Sequence, residues 1–451
     1  MAAQTGILNA IRSFFQLEPL PWLIIRPWLN NFCLIMVGVW IWTGFCMVIL
    51  SASYKGIPRE LLEAARVDGA TEFKIFWKII LPLMKPTLAV VATTMTINVL
   101  KVFDIVYVMT NGNFDTEVIA NRMYKEMFIF RNYGRASSIA VLLLLIIIPN
   151  DNYKYPSFQR TGGYKIMKKN AISFSSSSLH LIIIITAFIW VLPTVGLLIT
   201  SFRPPPDVAT SGWWTVFEHP FNFTCYSLEN YQRVIAKIGL GEAFINTLLI
   251  TIPSTIIPIL IASFAAYAFA WMEFPGRKLI FIFLVGLLVI PLQMTMIPIL
   301  RIFSNLGIVG TFPGIWLAHT GYGLPLMTYL LYTFISSLPS ELFDSSSIDG
   351  AAPFQIFIKI VMPLSVPALA SVTIFQFLWV WNDLLVALVY LGGTPDVAPL
   401  TVRISALVGS YGQDWELLTA AAFVSMALPL ILFLGLQRYF VKGILAGSVK
   451  G

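Results

Sequence analysis

Pro58–Pro82 reads PRELLEAARVDGATEFKIFWKIILP, and Pro339–Pro363, 281 residues further on, reads PSELFDSSSIDGAAPFQIFIKIVMP. The two align without a gap and share a leading Pro, Glu-Leu, Asp-Gly-Ala, a Phe-x-Ile-Phe core, Lys-Ile and a closing Pro. Each lies between long apolar segments. Such a repeat means two copies of one structural unit. Its setting predicts a membrane unit that offers the same polar loop to the same side twice.

Composition agrees with lipid as the solvent. Hydrophobic residues make up 57% of the chain and charged residues 11%, against about 25% charged in a soluble domain. The net charge of +7 invites a nucleic-acid reading, but the basic residues have a topological explanation. Lys55, Arg59, Arg66, Lys74, Lys78 and Lys85 crowd the first repeat, while Arg277, Lys278, Lys359, Arg438 and Lys442 fall in loops that alternation puts on the same face. This positive-inside bias makes both repeat loops cytoplasmic, and no nucleic-acid partner is expected. Cys33, Cys46 and Cys225 are odd in number and far apart, which gives neither a disulfide framework nor a metal spacing.

Apolar runs of about 20 residues mark membrane spans. The first part of the chain has Phe32–Ala52, Thr87–Met109 and a short run at Ala136–Pro149. The second has Leu179–Ser201, Ala243–Ala270, Leu279–Leu300, Phe312–Ile335, Leu364–Leu391 and Leu417–Leu436. The predicted fold is therefore an all-α polytopic membrane protein of about nine transmembrane helices, three and then six, since only helices and closed barrels satisfy their backbone in lipid. The predicted units are residues 1–149, with a loop over 55–85, a junction over 150–166, and residues 167–451, with a loop over 336–363.

Glu63-Ala64-Ala65, Gly69 and Ile79-x-Leu81-Pro82 resemble the EAA loop of ABC-importer permeases, where the membrane subunit receives force from a separate ATPase. The second part resembles the complete smaller permease subunit of the maltose (carbohydrate-uptake) type, through Trp381-Asn382-Asp383 and the basic tail Gln437–Gly443. The first part resembles the last three spans of the larger subunit, through KVFDIVYVMT at Lys101–Thr110. The cyanobacterial glucosylglycerol and α-glucoside branch is the most similar. The resemblance covers nearly all of the chain. It implies a type I importer fold in the bacterial inner membrane, an ABC ATPase dimer that binds ATP and Mg, and a periplasmic sugar-binding protein. Its implied cargo is a sugar or osmolyte of the glucosylglycerol, sucrose, trehalose or α-glucoside class.

Two departures stand out. The first part lacks the opening helices the resemblance calls for, and Met1–Asn31 has neither the apolar core nor the cleavage site of a signal peptide. At the junction, the run Ala136–Pro149 is too short to span and breaks into Asn150-Asp151-Asn152-Tyr153-Lys154. Codons for 150–163 read one base later permit an apolar continuation with an Arg-Arg end, and a stop at Met167. Two overlapping genes fused by a one-base frameshift are the expectation; an ordinary linker is the alternative.

The repeat predicts two short helices around a turn. Ala64 and Ala65 allow close approach to a partner groove, Gly69 lets the chain bend, Pro82 opens the next span, and Glu63 suits a helix N-terminus or a basic partner. Asp344, Ser345, Ser346 and Gly350 are the matching coupling residues. Polar groups inside spans point to a pathway. Asn98, Lys101 and Asp104 lie at i, i+3, i+6; the resemblance aligns the first two with sugar-site amides. Trp42 and Phe45 have rings to stack on a sugar, and Asn382 and Asp383 occupy the comparable helix. For each of these, interhelical hydrogen bonding or interfacial anchoring is the plainer reading. His180, His219 and His319 receive no role. No Gly-x-x-x-x-Gly-Lys-Ser/Thr and no Gly-Lys dipeptide occurs, so the chain is expected to bind no nucleotide or other cofactor and to be no enzyme. An ion-coupled secondary transporter, with Asp104 and Asp383 as its carboxylates, and the inactive product of a frameshifted locus are the competing readings.

Overall fold

A computed structural model describes residues 6–25, 28–147, 176–218, 226–392, 394–408 and 414–448. Every element among them is helical, as lipid requires of a chain that must pair its backbone groups internally. The order is α1 (Ile7–Phe14), α2 (Trp28–Lys55), α3 (Arg59–Val67), α4 (Glu72–Ile75), α5 (Leu81–Leu100), α6 (Asp104–Met109), α7 (Ile119–Tyr124) and α8 (Tyr133–Ile147). Next come α9 (Ser176–Phe202), α10 (Pro205–Thr210), α11 (Glu229–Gln232), α12 (Leu240–Trp271), α13 (Arg277–Gly286) and α14 (Leu292–Asn305). The chain continues through α15 (Phe312–Ile335), α16 (Ser340–Ile348), α17 (Pro353–Ile356), α18 (Met362–Leu364) and α19 (Val366–Trp381). It closes with α20 (Leu385–Leu391), α21 (Leu400–Val408) and α22 (Trp415–Ser448).

The repeat is wider than the loop. At the constant offset of 281, α3 falls on α16 and α4 on α17, residue for residue. Both short helices run into a π-helical turn, Phe76–Ile80 and Phe357–Val361. α2 corresponds to α15, and α5 to α18 with α19.

The spans differ from their predicted form. Among the described residues, four helices are long and apolar enough to cross a membrane, and two bent pairs raise the number to six. Thr87–Met109 and Leu364–Leu391 are not continuous helices: α5 stops at Leu100 and α19 at Trp381, each followed by a non-helical break and a short helix. Leu279–Leu300 is likewise divided, by a 3-10 turn and Pro291, into α13 and α14. α15 is long enough, but Gly, Thr and His dilute its apolar character. Average hydropathy registers neither the breaks nor this dilution. Pro253 and Pro258 stay inside α12 without ending it. The frameshift reading falls outside the described residues.

The two parts share one core. Phe103 and Ala120 of the first pack in a single buried cluster with Met296, Phe303, Val386 and Tyr390 of the second. Further out, α9 lies against α2 through exchanged hydrogen bonds. The Trp40 indole N–H donates to the Trp190 carbonyl at 2.8 Å, and the Trp190 indole N–H donates to the Trp40 carbonyl at 3.1 Å.

Candidate functional site: paired loops and a broken polar junction

Each loop packs one face and presents the other. In α3, Leu62 and Ala65 are buried with Ile57, Ile75, Ile80 and Met84, while Glu63, Ala64, Arg66 and Gly69 are exposed. The second loop follows the same pattern: Phe343 and Ser346 are buried, and Asp344, Ser345 and Gly350 are exposed. Of the predicted coupling residues, Ala65 and Ser346 thus face inward, where a small side chain lets the short helix approach its own span. The turn between the helices is left-handed at Gly69 (φ 75°) and Gly350 (φ 72°), a conformation that costs any residue with a Cβ.

The residues most prominent on the presented faces are apolar ones that carry no motif in the sequence. Val67 is 88% and Ile348 86% exposed, and both occupy the same place in the repeat. Phe73 and Phe354, also matched, are 58% and 64% exposed. A single exposed apolar residue is ordinary; here the same apolar position stands exposed in both loops. The signal the sequence does carry is an apolar residue at matched positions of the repeat, Val67 with Ile348 and Phe73 with Phe354.

The loops differ in polar detail. Arg66 pairs with Glu72 at 2.7 Å, and that hydrogen bond raises the guanidinium pKa above the ordinary arginine value. Ser347 and Pro353 stand in the matching places, so the second loop has no such pair. Its Ser345 and Ser347 hydroxyls donate back to the Glu341 and Phe343 carbonyls, each at 2.8 Å.

The predicted substrate-path residues divide into two groups. Asn98 and Trp42 line a groove of about 1710 Å³ between α2 and α5, and Phe45 packs edge-on against Trp42 at 6.0 Å. Lys101, Asp104, Asn382 and Asp383 instead sit at the two breaks. The predicted stripe of Asn98, Lys101 and Asp104 along one helix is therefore interrupted: Lys101 is the C-cap of α5, and Asp104 opens α6. Asn382 is the matching C-cap of α19. The breaks meet where the two parts join. Gln293 of α14 reaches the Lys101 carbonyl at 3.5 Å, and Phe103 and Leu384, one from each break, are buried in the same cluster.

At this junction Asp383 is structurally engaged. Its carboxylate oxygens accept from the Val386 and Ala387 N–H groups at 3.2 and 2.9 Å, capping α20. Oδ2 lies 3.8 Å from His319 Nε2, and the imidazole, 1% exposed, packs edge-on to Trp379 at 5.5 Å. His319 stands isolated in the sequence because its neighbours, Asp383 and Trp379, come from a distant part of the chain. Nearby, the Tyr322 and Tyr390 hydroxyls lie 2.8 Å apart, and Thr295 donates to Tyr322 at 3.2 Å. Hydroxyl, amide and carboxylate groups thus gather, largely buried, where the halves meet.

Comparison with known proteins gives this arrangement its context. The model of the family described as "Binding-protein-dependent transport system inner membrane component" matches residues 7–151 and 237–446. The osmoprotective compounds uptake permease protein GgtD of Synechocystis sp. is 61% identical over 272 residues, covering 60% of this chain and 91% of that protein. GgtC of the same organism, with the same description, is 59% identical over 148 residues, 33% of this chain and 53% of that protein. The alpha-glucoside transport system permease protein AglG of Rhizobium meliloti is 40% identical, covering 61% of this chain and 97% of that protein. Matched loops, two interlocked halves and these relatives lead to one conclusion: the chain belongs to the binding-protein-dependent transport system inner membrane components, the ABC-importer permeases, and within them to the carbohydrate-uptake type.

Proposed function

We propose that the chain conducts a glucosylglycerol, sucrose, trehalose or α-glucoside-class solute, delivered by a periplasmic binding protein. A separate ABC ATPase dimer, holding ATP and Mg, drives it. The observation that carries this reading is the pair of matched loops. An ATPase dimer has two equivalent faces, and the faces around Glu63–Gly69 and Asp344–Gly350 offer each of them the same exposed apolar knob. Closure of the dimer would move both loops together, and the breaks at Lys101 and Asn382 are where such motion reaches the joint between halves.

In this reading Lys101, Asp104 and Asn382 meet the solute's hydroxyls, and Asp383 positions α20 instead of touching solute. Residues 1–149 and 167–451 form the two permease units. The ion-coupled alternative is weakened because Asp383, one of its two carboxylates, is committed to a helix cap. The test is the double variant Val67→Asp, Ile348→Asp. It is expected to insert into membranes and lose the ATPase on co-purification; retention of the ATPase would overturn the reading. Competition of labelled glucosylglycerol uptake by sucrose, trehalose and maltose would rank the solutes.

A further inference from the structure

A polar seam runs through the interior of the second unit, where α12, α15 and α19 pack together. Pro253 and Pro258 sit inside α12. A proline has no N–H, so each leaves the carbonyl four residues before it without its helical donor. Neighbouring helices supply the donors. The Trp316 indole N–H of α15 reaches the Leu249 carbonyl at 2.8 Å, and the Gln376 amide of α19 reaches the Ser254 carbonyl at 3.0 Å. A Cβ added to Gly323 of α15 would lie 2.6 Å from the Gln376 amide nitrogen, so this amide sits directly between α12 and α15.

The hydroxyls on the two facing helices differ from those elsewhere on them. Thr251, Ser254 and Thr255 lie at i, i+3 and i+4 on one face of α12, and Thr320, Gly323 and Thr328 share a face of α15. Helical Ser and Thr commonly donate to the carbonyl four residues earlier. Thr247 and Ser263 do so at 2.7 Å, and Thr333 at 2.9 Å. The five seam hydroxyls and Gln376 Oε1 instead have no hydrogen-bond partner among the described residues, although Thr251, Ser254, Thr328 and Gln376 are 0% exposed. A buried polar atom without a partner is costly and uncommon; six of them on three packed helices require a shared one. The repeated unit does not impose this polarity. At the offset of 281, the places of Thr320, Gly323, Thr328 and Gln376 hold Val39, Trp42, Met47 and Met95.

We propose that this seam is a hydration site, in which internal water molecules bridge the hydroxyls of α12 and α15 to the Gln376 amide of α19. The chemistry of the six atoms selects the occupant. Each hydroxyl brings a hydrogen that needs an acceptor, and Gln376 Oε1 needs a donor. Water supplies both. A metal ion would gather the oxygens and leave the five hydrogens unplaced. A buried water typically makes about three hydrogen bonds, so about two would serve the six atoms. The inference concerns the packed interior of the second unit and is independent of what the protein transports.

The full chain, in lipid nanodiscs, is exposed to an X-ray pulse that turns water into hydroxyl radicals where it lies, and methionine oxidation is read by mass spectrometry. Met327 is 1% exposed and stands one turn beyond Gly323 on the same face. Next to internal water it is expected to oxidise about five-fold faster than Met123, which is equally buried in an apolar cluster. Equally slow oxidation of both would overturn the proposal. A second arm uses Thr251→Val and Thr328→Val, which exchange a hydroxyl for a methyl of the same shape. Where water bridges the hydroxyl, each exchange leaves that water short of a partner and should lower the unfolding temperature by about 2–4 °C. Where the hydroxyl is dry, the exchange removes an unpaired polar group; an unchanged or higher temperature in both variants would therefore also overturn the proposal. Unfolding temperatures in sodium, potassium and choline chloride at equal ionic strength should coincide. A rise specific to one metal ion that Gln376→Leu abolishes would make that ion the occupant instead.

Discussion

At the scale of single residues, the side chains that matter are those whose backbone or burial leaves little choice. Gly69→Val places a branched side chain at φ 75°, in a region that costs roughly 1–2 kcal/mol for residues with a Cβ. Thermal unfolding in detergent should show a small loss, whereas limited proteolysis of the loop should accelerate markedly; unchanged cleavage would mean that the turn tolerates the strain. Asp383→Ala removes both acceptors of the α20 cap, at a cost of about 1 kcal/mol. Asp383→Asn keeps an acceptor and should recover most of the stability and uptake; a role in contacting solute would instead leave both variants equally inactive. Val67, Ile348 and His319 show what a single sequence hides. The first two look like ordinary helix residues until their exposure is known, and the third gains meaning only when α19 delivers Asp383 beside it.

Between elements, the decisive contacts are few and specific. Trp40 and Trp190 exchange hydrogen bonds between α2 and α9, and inside a bilayer such a bond is worth about 0.6–1.7 kcal/mol. If the chain is cut within residues 150–166 and both pieces are co-expressed, they should co-purify, held by this pair and by the core around Phe103. Trp190→Phe keeps the ring but gives up one donor, so it should weaken recovery, and Trp190→Ala should weaken it more; equal recovery of all three would show that the pair is incidental. The loop helices were legible in advance because Gly, Pro and Asp-Gly-Ala punctuate them. The breaks after Leu100 and Trp381 were not. KVFD and NDLL each hold two polar residues, but the apolar runs on either side absorb them in a span-length window; what stops the helix is Phe103 entering the shared core, Gln293 reaching the Lys101 carbonyl, and Asp383 capping the next helix.

For the whole molecule, the repeat made part of the architecture readable: one helical class, with a matched pair of loop helices and π turns. Its extent was not readable, since α2 and α15 share little sequence while occupying matched places. The groove between α2 and α5 follows from that matching.

The matched π turns at Phe76–Ile80 and Phe357–Val361 carry a last consequence. A π turn holds one residue more than the α-helical turn it interrupts, so each unit stores a single residue of slack between its loop and its span. Removing Lys78 or Lys359 should let the turn relax to α while the flanking segments keep their azimuth. Removing one residue elsewhere, at Ala92 or Ser371, would swing everything beyond it by about 100°. Deletion scanning along both spans, read by folded yield, should therefore find one tolerant window in each.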